Sequence, residues 1–141
     1  MIAAKTEEEI ELLREPCRIV KECLDFVGAN IRAGMTTKEV DDLVYRFIKA
    51  EGAEPSCLGY CGYPASACVS VNEVVVHGIP DDRVILTGDI VSVDLCAYKN
   101  GFHGDGARTF CIGEVSAEKQ KLVRVTKECF FKGIEGLKAG T

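Results

Sequence analysis

The sequence predicts an α+β fold in which two helices precede a β-hairpin. Thr6 with Glu9, and Thr36 with Glu39, have the Thr-x-x-Glu spacing of a capping box, which marks the first turn of a helix. Behind each box apolar residues recur at steps of three and four, so each helix has one apolar face. Residues 89–112 instead form two β-rich runs around an Asn-Gly turn, the pattern of a hairpin.

The other elements follow from turn residues and apolar runs. The first helix is expected to end near Gly34 and the second at Gly52, since glycine commonly follows a helix. Residues 53–65 are rich in Gly, Pro, Cys and Tyr, and a long loop that carries aromatic residues is typical of a functional segment. The elements expected after this loop are two short strands and, behind the hairpin, a third helix: Ala67–Val71, Val74–His77 and a helix from Ser116.

Two aspartates interrupt the apolar pattern of the hairpin, Asp94 in its first strand and Asp105 in its second. A Lys99-Asn100 loop would place them directly opposite each other, whereas an Asn100-Gly101 loop would place Asp94 opposite Ala107 and Asp105 diagonally adjacent. Both registers put the two carboxylates on one face. Like charges so placed repel, and a cation between them would relieve the repulsion. The alternative is two solvated aspartates near the end of a hairpin.

Glycines flank the second of these aspartates. Gly104 precedes Asp105 and Gly106 follows it. Glycines within a strand mark either a β-bulge that redirects a side chain or a place where another backbone approaches closely. Both explanations are open at the level of sequence.

Composition and charge exclude several classes of protein. At 141 residues, with 47% apolar and 28% charged residues, the chain is expected to fold as a globular domain. A formal net charge of −5 argues against nucleic acid as a partner, because the phosphate backbone attracts a basic surface. No apolar run approaches the roughly 20 residues of a membrane span, and the acidic first residues do not resemble a signal peptide. We therefore expect a cytoplasmic protein that binds neither nucleic acid nor membrane.

The eight cysteines form no Cys-x-x-Cys pair, and the chain has two histidines to join them, so a zinc finger is not indicated. Thiols at apolar positions of helices and strands behave as small hydrophobic side chains. Without a secretion signal, reduced thiols are the expected state.

A repeated heptapeptide predicts how the chain is organised. Residues 18–24, RIVKECL, and residues 124–130, RVTKECF, are nearly the same sequence. This pattern indicates an internal repeat, although two amphipathic helices could match by chance. The repeat divides the chain into a first unit, residues 1–115, and the opening helix of a truncated second unit, residues 116–141.

Three segments, in this order and spacing, resemble motifs of the type I methionine aminopeptidases. They are the pocket loop at residues 57–64, CLGYCGYP, the signature at residues 70–80, SVNEVVVHGIP, and the metal-binding hairpin at residues 88–105. The resemblance extends from Thr6 to Thr141 and implies the first half of a pita-bread fold, an antiparallel sheet with helices packed on one face. In that family a second, pseudo-symmetric half completes a two-metal site.

The resemblance also implies roles for individual residues. Asp94 and Asp105 match metal ligands, of which Asp94 chelates one ion and Asp105 bridges both. His77 matches a catalytic histidine that lies beside the metals and helps to bind the scissile peptide. No catalytic role is assigned to His103. The residues that match the walls of the methionine pocket are Cys57, Tyr60, Tyr63 and Cys68, with His77 at its edge. The implied cofactors are two divalent ions, Mn, Fe, Co or Zn, which also need one histidine and two glutamates from the second half.

The implied function is metal-dependent removal of the N-terminal methionine from nascent proteins, incomplete in this chain alone. A complementing second half or self-association would restore the missing ligands. The alternatives are a catalytically inactive fragment or binding module of the same fold and a related peptidase that acts before proline. The chain departs from the family at Cys61, where a histidine is usual, and at Val76, where bacterial enzymes often have cysteine.

Overall fold

The α+β prediction is confirmed by the computed structural model, which describes residues 4–138 and residue 140. Three α-helices and four strands occur in these residues, with one turn of 3₁₀ helix in the loop between β1 and β2. Their bounds are α1 Glu7–Asn30, α2 Thr37–Ala50, β1 Glu54–Pro55, the 3₁₀ turn Tyr60–Gly62, β2 Ala67–Val71, β3 Ile90–Lys99, β4 Phe102–Cys111 and α3 Ala117–Ile134.

Both predicted capping boxes are present. The Thr6 hydroxyl accepts a hydrogen bond from the Glu9 amide at 3.2 Å, and the Glu9 carboxylate accepts one from the Thr6 amide at 2.8 Å. Thr36 and Glu39 exchange the same pair of bonds at the start of α2. Local sequence alone therefore determines where these two helices begin.

The first helix ends earlier than predicted, at Asn30. The next residue, Ile31, is extended, with φ −65° and ψ 131°. Beyond it the Gly34 amide donates to the Ile85 carbonyl, and the Ile85 amide donates to the Met35 carbonyl, each at 2.8 Å. These bonds to a segment 50 residues away replace the helical ones, so the helix stops before its glycine.

β3 is the central strand of an antiparallel sheet. β4 pairs with it along one side, from Ile90 opposite Cys111 to Lys99 opposite Phe102. β2 and the short β1 pair with successive parts of its other side. The hairpin loop is Asn100-Gly101, and both residues have the positive φ of a two-residue hairpin turn, 56° and 85°. Of the two registers considered, the one with Asp94 opposite Ala107 is correct and the one with Asp94 opposite Asp105 is wrong.

α1 and α2 pack on one face of this sheet, as predicted. Alternate β3 side chains point into the interface, and those of Val93 and Leu95 are fully buried against helix residues such as Ile19 and Val44. Residues 94 and 96 therefore face the other side of the sheet. The core thus leaves one face of the hairpin free to carry polar groups.

The glycines around Asp105 are explained by a close helix. The pairing of β3 with β4 is continuous, so there is no bulge at Asp105. A Cβ at Gly104 would lie 2.5 Å from the backbone nitrogen of Cys17, and one at Gly106 would lie 2.9 Å from Cγ1 of Val20. α1 therefore rests directly on the β4 backbone.

Two predictions between the second helix and the hairpin are wrong. Glu54–Pro55, placed in a loop, forms β1, because the β3 edge beside Tyr98 and Ala97 is free to pair with it. Val74–His77, predicted as a strand, is a loop. The edge of β2 that a second strand would need is partly occupied by Gly78, whose carbonyl accepts the Val69 amide at 2.9 Å.

α3 starts as predicted at its N-cap Ser116. Its Lys119 ammonium donates to the Gly88 carbonyl at 2.7 Å and to the Asn72 side chain at 2.9 Å. None of its residues is buried, and Leu122 and Phe130 are 58% and 62% exposed. The division of the chain at residue 115 stays a prediction, and residues 139 and 141 of the second unit lie outside the described residues.

Candidate active site

The sheet face turned away from α1 and α2 carries polar side chains of both hairpin strands. Asp94 and Asp105 both lie on it, at diagonal positions: Cys96 is opposite Asp105, and Cys68 of β2 is opposite Asp94. The sheet thus brings two carboxylates and two thiols to one surface. Its rigid pairing determines their spacing better than a loop could.

Asp94 is partly buried and electrostatically strained. Burial raises the pKa of its carboxyl group, and the neighbouring charge of Asp105 raises it further. His77 acts in the opposite direction and lowers this pKa, which places the imidazole within electrostatic reach of Asp94. The charges of Asp105 and His77 thus both act on the Asp94 carboxyl group, in opposite directions.

His77 is held in an unusual backbone conformation. Its φ is 57°, in the left-handed region that residues with side chains rarely adopt. The next residue, Gly78, donates its amide to the Ser70 hydroxyl at 3.0 Å and accepts the Val69 amide at its carbonyl. A Cβ on Gly78 would lie 2.9 Å from the Val69 carbonyl carbon, so glycine is needed for this approach. β2 therefore determines the place of His77.

The four predicted pocket residues have different environments. Cys68 is buried, and Cys57 is partly buried. Burial, with Cys68 and Cys96 nearby, raises the pKa of Cys57 to about 11, so its thiol stays neutral. The ring of Tyr60 is 73% exposed. The structure thus places the thiols of Cys57 and Cys68 near the carboxylate of Asp94, whereas the ring of Tyr60 lies at the surface.

The fourth pocket residue, Tyr63, is partly buried and uses its hydroxyl within the protein. The phenol oxygen lies 3.2 Å from the Ala67 carbonyl and 3.2 Å from the Gly78 carbonyl. Cys61, at the position of the family histidine, is exposed and has a φ of 49°. A cysteine or a histidine at residue 61 would project into solvent.

Sequence reasoning missed Asp41, which supports the pocket loop. Its carboxylate accepts the Ser66 amide at 2.9 Å and the Ala67 amide at 2.8 Å, at the start of β2. The signal was an acidic residue directly beside the buried Val40 and three residues before the buried Val44. An aspartate bordering an apolar stripe calls for an internal hydrogen-bond partner.

His103 is tied to the loop after β1. Its Nδ1 lies 2.8 Å from the Ser56 hydroxyl, and its ring packs against Tyr98 with centroids 4.8 Å apart. It lies on the same sheet face as Asp105, directly opposite Tyr98 in the register. Through these contacts His103 orders the surface around Asp94 and Asp105.

Residues 11–141 match the sequence profile of metallopeptidase family M24. The chain belongs to this family. A methionine aminopeptidase of Clostridium acetobutylicum is 52% identical to it over 136 residues, which cover 96% of this chain and 54% of that protein. The crystal structure of a methionine aminopeptidase from Thermotoga maritima matches with a TM-score of 0.94 and 42% identity, over 98% of this chain and 56% of that one.

A peptidase with a different name also matches, at lower identity than the Thermotoga maritima enzyme. An Xaa-Pro dipeptidase from Bacillus anthracis matches with a TM-score of 0.86 and 29% identity, over 97% of this chain and 37% of that one. The predicted pita-bread fold is confirmed by these structures. The chain spans about half the length of the curated relatives it matches.

Membership of metallopeptidase family M24 implies the use of a divalent metal. Carboxylate oxygens are hard ligands that suit such ions, and the like charges of Asp94 and Asp105 fit a site that a cation completes. Within residues 4–138 and 140, however, no three His, Cys, Asp or Glu side chains are grouped so that they could hold a metal. The described residues thus provide part of a donor set.

Across the part of the chain that the structure describes, no helix is both long enough and apolar enough to cross a membrane. The eight cysteines, all within that part, are free thiols.

Proposed function

We propose that this chain forms the metal-binding half of a methionine aminopeptidase, which removes the N-terminal methionine from nascent proteins. The observation that carries the proposal is the placement of Asp94 and Asp105 on one face of the β3–β4 hairpin, with Cys68 opposite Asp94 in β2. The charge of His77 also acts on the Asp94 carboxyl group and lowers its pKa. The similarity to proteins named methionine aminopeptidase supports the same conclusion.

Asp94 and Asp105 would hold the metal ions, which can be Mn, Fe, Co or Zn. Bound there, divalent ions supply an activated water and polarise the scissile carbonyl. The two aspartates come from paired strands, so their oxygens are positioned before a metal arrives. Burial and the negative charge of Asp105 raise the pKa of Asp94, and a bound cation would relieve the repulsion between the two carboxylates.

His77 would bind the scissile peptide next to these ions. A neutral imidazole donates one hydrogen bond, and it can stabilise negative charge that develops on the carbonyl oxygen. Its backbone is held by Gly78 and β2, which limits the movement of the ring. A fixed donor costs little reorganisation during the reaction.

The pocket residues favour methionine as the side chain that is recognised. Cys57 and Cys68 are neutral or buried thiols, and Tyr63 adds a partly buried ring. Such a surface suits an unbranched, polarisable thioether. The 52% identity to the methionine aminopeptidase of Clostridium acetobutylicum, against 29% to the Xaa-Pro dipeptidase, supports this specificity over action before proline.

The site needs a partner. Two carboxylates offer at most four oxygens, too few for two ions that prefer about six ligands each. α3 leaves apolar residues such as Leu122 and Phe130 exposed, and an exposed apolar helix face is typical of an interface. We propose that a second half, or a second copy of this chain, covers α3 and adds ligands. The free thiols and the nascent-chain substrate favour a cytoplasmic location.

The second candidate is a binding module without catalysis. The incomplete donor set favours it, because the described residues hold no group of three ligands. Such a module would keep the methionine pocket and bind peptide N-termini. It differs from the enzyme in turnover, not in the pocket.

We expect chelator-sensitive release of methionine from a Met-Ala-Ser peptide when the chain associates into a complete site. The measurement is free methionine after incubation with Mn²⁺ or Co²⁺, with EDTA as control and with Asp105→Asn beside the exposed-site variant Asp82→Asn. Loss in Asp105→Asn with retention in Asp82→Asn would support the enzyme.

No release, together with peptide binding, would support the binding module. Release that EDTA and Asp105→Asn leave unchanged would contradict the metal-dependent mechanism.

A further inference from the structure

We infer that the hydroxyl of Tyr63 is a positioning group for His77, and that it acts through the carbonyl of Gly78. The inference rests on the proposed function, because His77 matters for the reaction only if it binds the scissile peptide. The resemblance assigns the ring of Tyr63 to the methionine pocket. The hydroxyl has no part in that assignment, and the structure gives it a separate task.

The Tyr63 hydroxyl joins two segments that the chain does not connect locally. Its oxygen lies 3.2 Å from the Ala67 carbonyl and 3.2 Å from the Gly78 carbonyl, so its one proton is shared between them. The Gly78 carbonyl also accepts the Val69 amide at 2.9 Å. Two donors therefore converge on the carbonyl of Gly78, the residue that follows His77.

His77 depends on such backbone bonds. Its φ of 57° is a sparsely populated conformation, which persists only where the surroundings over-determine it. The side chains around it provide little packing, because Val75 is 84% exposed and Val76 61%. The backbone next to His77 is anchored by the hydrogen bonds of Gly78. The Gly78 amide donates to the Ser70 hydroxyl, and the Gly78 carbonyl accepts from Val69 and Tyr63.

Tyr63 can hold Gly78 in place because its own backbone is fixed by hydrogen bonds. Its carbonyl accepts the Gly59 amide at 2.8 Å, and its amide donates to the Tyr60 carbonyl at 2.9 Å. Asp41 holds the amides of Ser66 and Ala67 just beyond it. Burial raises the pKa of Tyr63, so the phenol keeps its proton and remains a donor at neutral pH.

The Tyr63 hydroxyl therefore couples the position of the pocket loop to the position of His77. A loop that binds the methionine side chain and a residue that binds the scissile peptide are held together by one phenol. Removing the hydroxyl while keeping the ring should leave side-chain recognition intact and displace His77. In an active enzyme, kcat should therefore fall while KM for the peptide stays within about twofold.

The test compares Tyr63→Phe with the matched variant Tyr45→Phe, whose exposed ring lies on α2 outside the candidate site. The chain has two histidines, so the imidazole NMR signals of His77 can be followed with His103 as an internal reference. In Tyr63→Phe we expect shifted His77 signals and a roughly two- to tenfold faster hydrogen exchange of the Val69 amide, as one lost hydrogen bond predicts. In Tyr45→Phe, and for His103 in both variants, we expect no change.

Unchanged His77 signals and unchanged Val69 exchange in Tyr63→Phe would overturn the inference, whether or not the chain cleaves peptide. An inactive wild-type chain would count against the proposed function alone, because the NMR comparison needs no turnover. If Tyr63→Phe does not fold, the wild-type phenol proton decides: a slowly exchanging signal with a cross-peak to Gly78 supports the inference, and its absence contradicts it.

Discussion

Gly104→Ala should lower the free energy of unfolding by about 3 kcal/mol, the upper end of what overpacking usually costs. The added Cβ would point from β4 into α1 and lie 2.5 Å from the backbone nitrogen of Cys17, closer than the 3.0 Å below which real Cβ contacts essentially do not occur. The obstacle is backbone, so no side chain can rotate away. α1 would have to move as a unit, together with buried residues such as Ile19 and Val20.

Urea unfolding can measure this loss against two glycine controls. Gly106→Ala meets the tip of Val20, a side chain that can shift, so we expect a smaller loss of stability. Gly133→Ala lies in α3 with nothing within 4 Å, and alanine there should stabilise the helix by about 0.5–1 kcal/mol. A loss below about 1 kcal/mol for Gly104→Ala would show that α1 does not rest on β4 as described.

Asp94→Asn and Asp105→Asn should each abolish divalent-metal binding by the chain. Mutating residues that merely orient metal ligands typically costs about 10–100-fold in affinity, and loss of a ligand should cost more. Isothermal titration with Mn²⁺ measures the effect, with the exposed Asp82→Asn as the control. Equal heats for wild type and both hairpin variants would exclude this surface as the metal site.

Asp94→Asn should lose metal binding without losing stability. Burial and the charge of Asp105 disfavour the ionised form of Asp94 and raise its pKa, so the ionised carboxylate destabilises the metal-free fold at neutral pH. Asparagine removes that charge. Asp94→Asn should therefore unfold at the same or a higher temperature than wild type without metal, and a clear fall in melting temperature would contradict this account.

Local patterns in the sequence were sufficient for the helix starts and for the hairpin. Thr6, Thr36 and Ser116 cap their helices because each hydroxyl meets an amide three residues away, a contact that needs no other part of the chain. The alternation of the hairpin also placed Asp94 and Asp105 on one face, since neighbouring strand residues point to opposite sides. The motifs around them identified the family.

The tertiary structure decided features that depend on distant partners. The first helix stops at Asn30 because Gly34 and Met35 bond to Ile85, and Val74–His77 is a loop because Gly78 bonds to Val69. The bonding partners Ile85 and Val69 are distant in sequence from the segments they hold, so no local pattern predicts these bonds.

The candidate site shows the same division. Sequence alone determined which carboxylates share a surface, through the period of a strand, and it identified His77 by motif. The tertiary structure alone decided what holds His77: the hydroxyls of Tyr63 and Ser70 meet Gly78 across the edge of β2. Hydrogen bonds need atoms about 3 Å apart, and residues far apart in sequence reach that distance only when the chain folds.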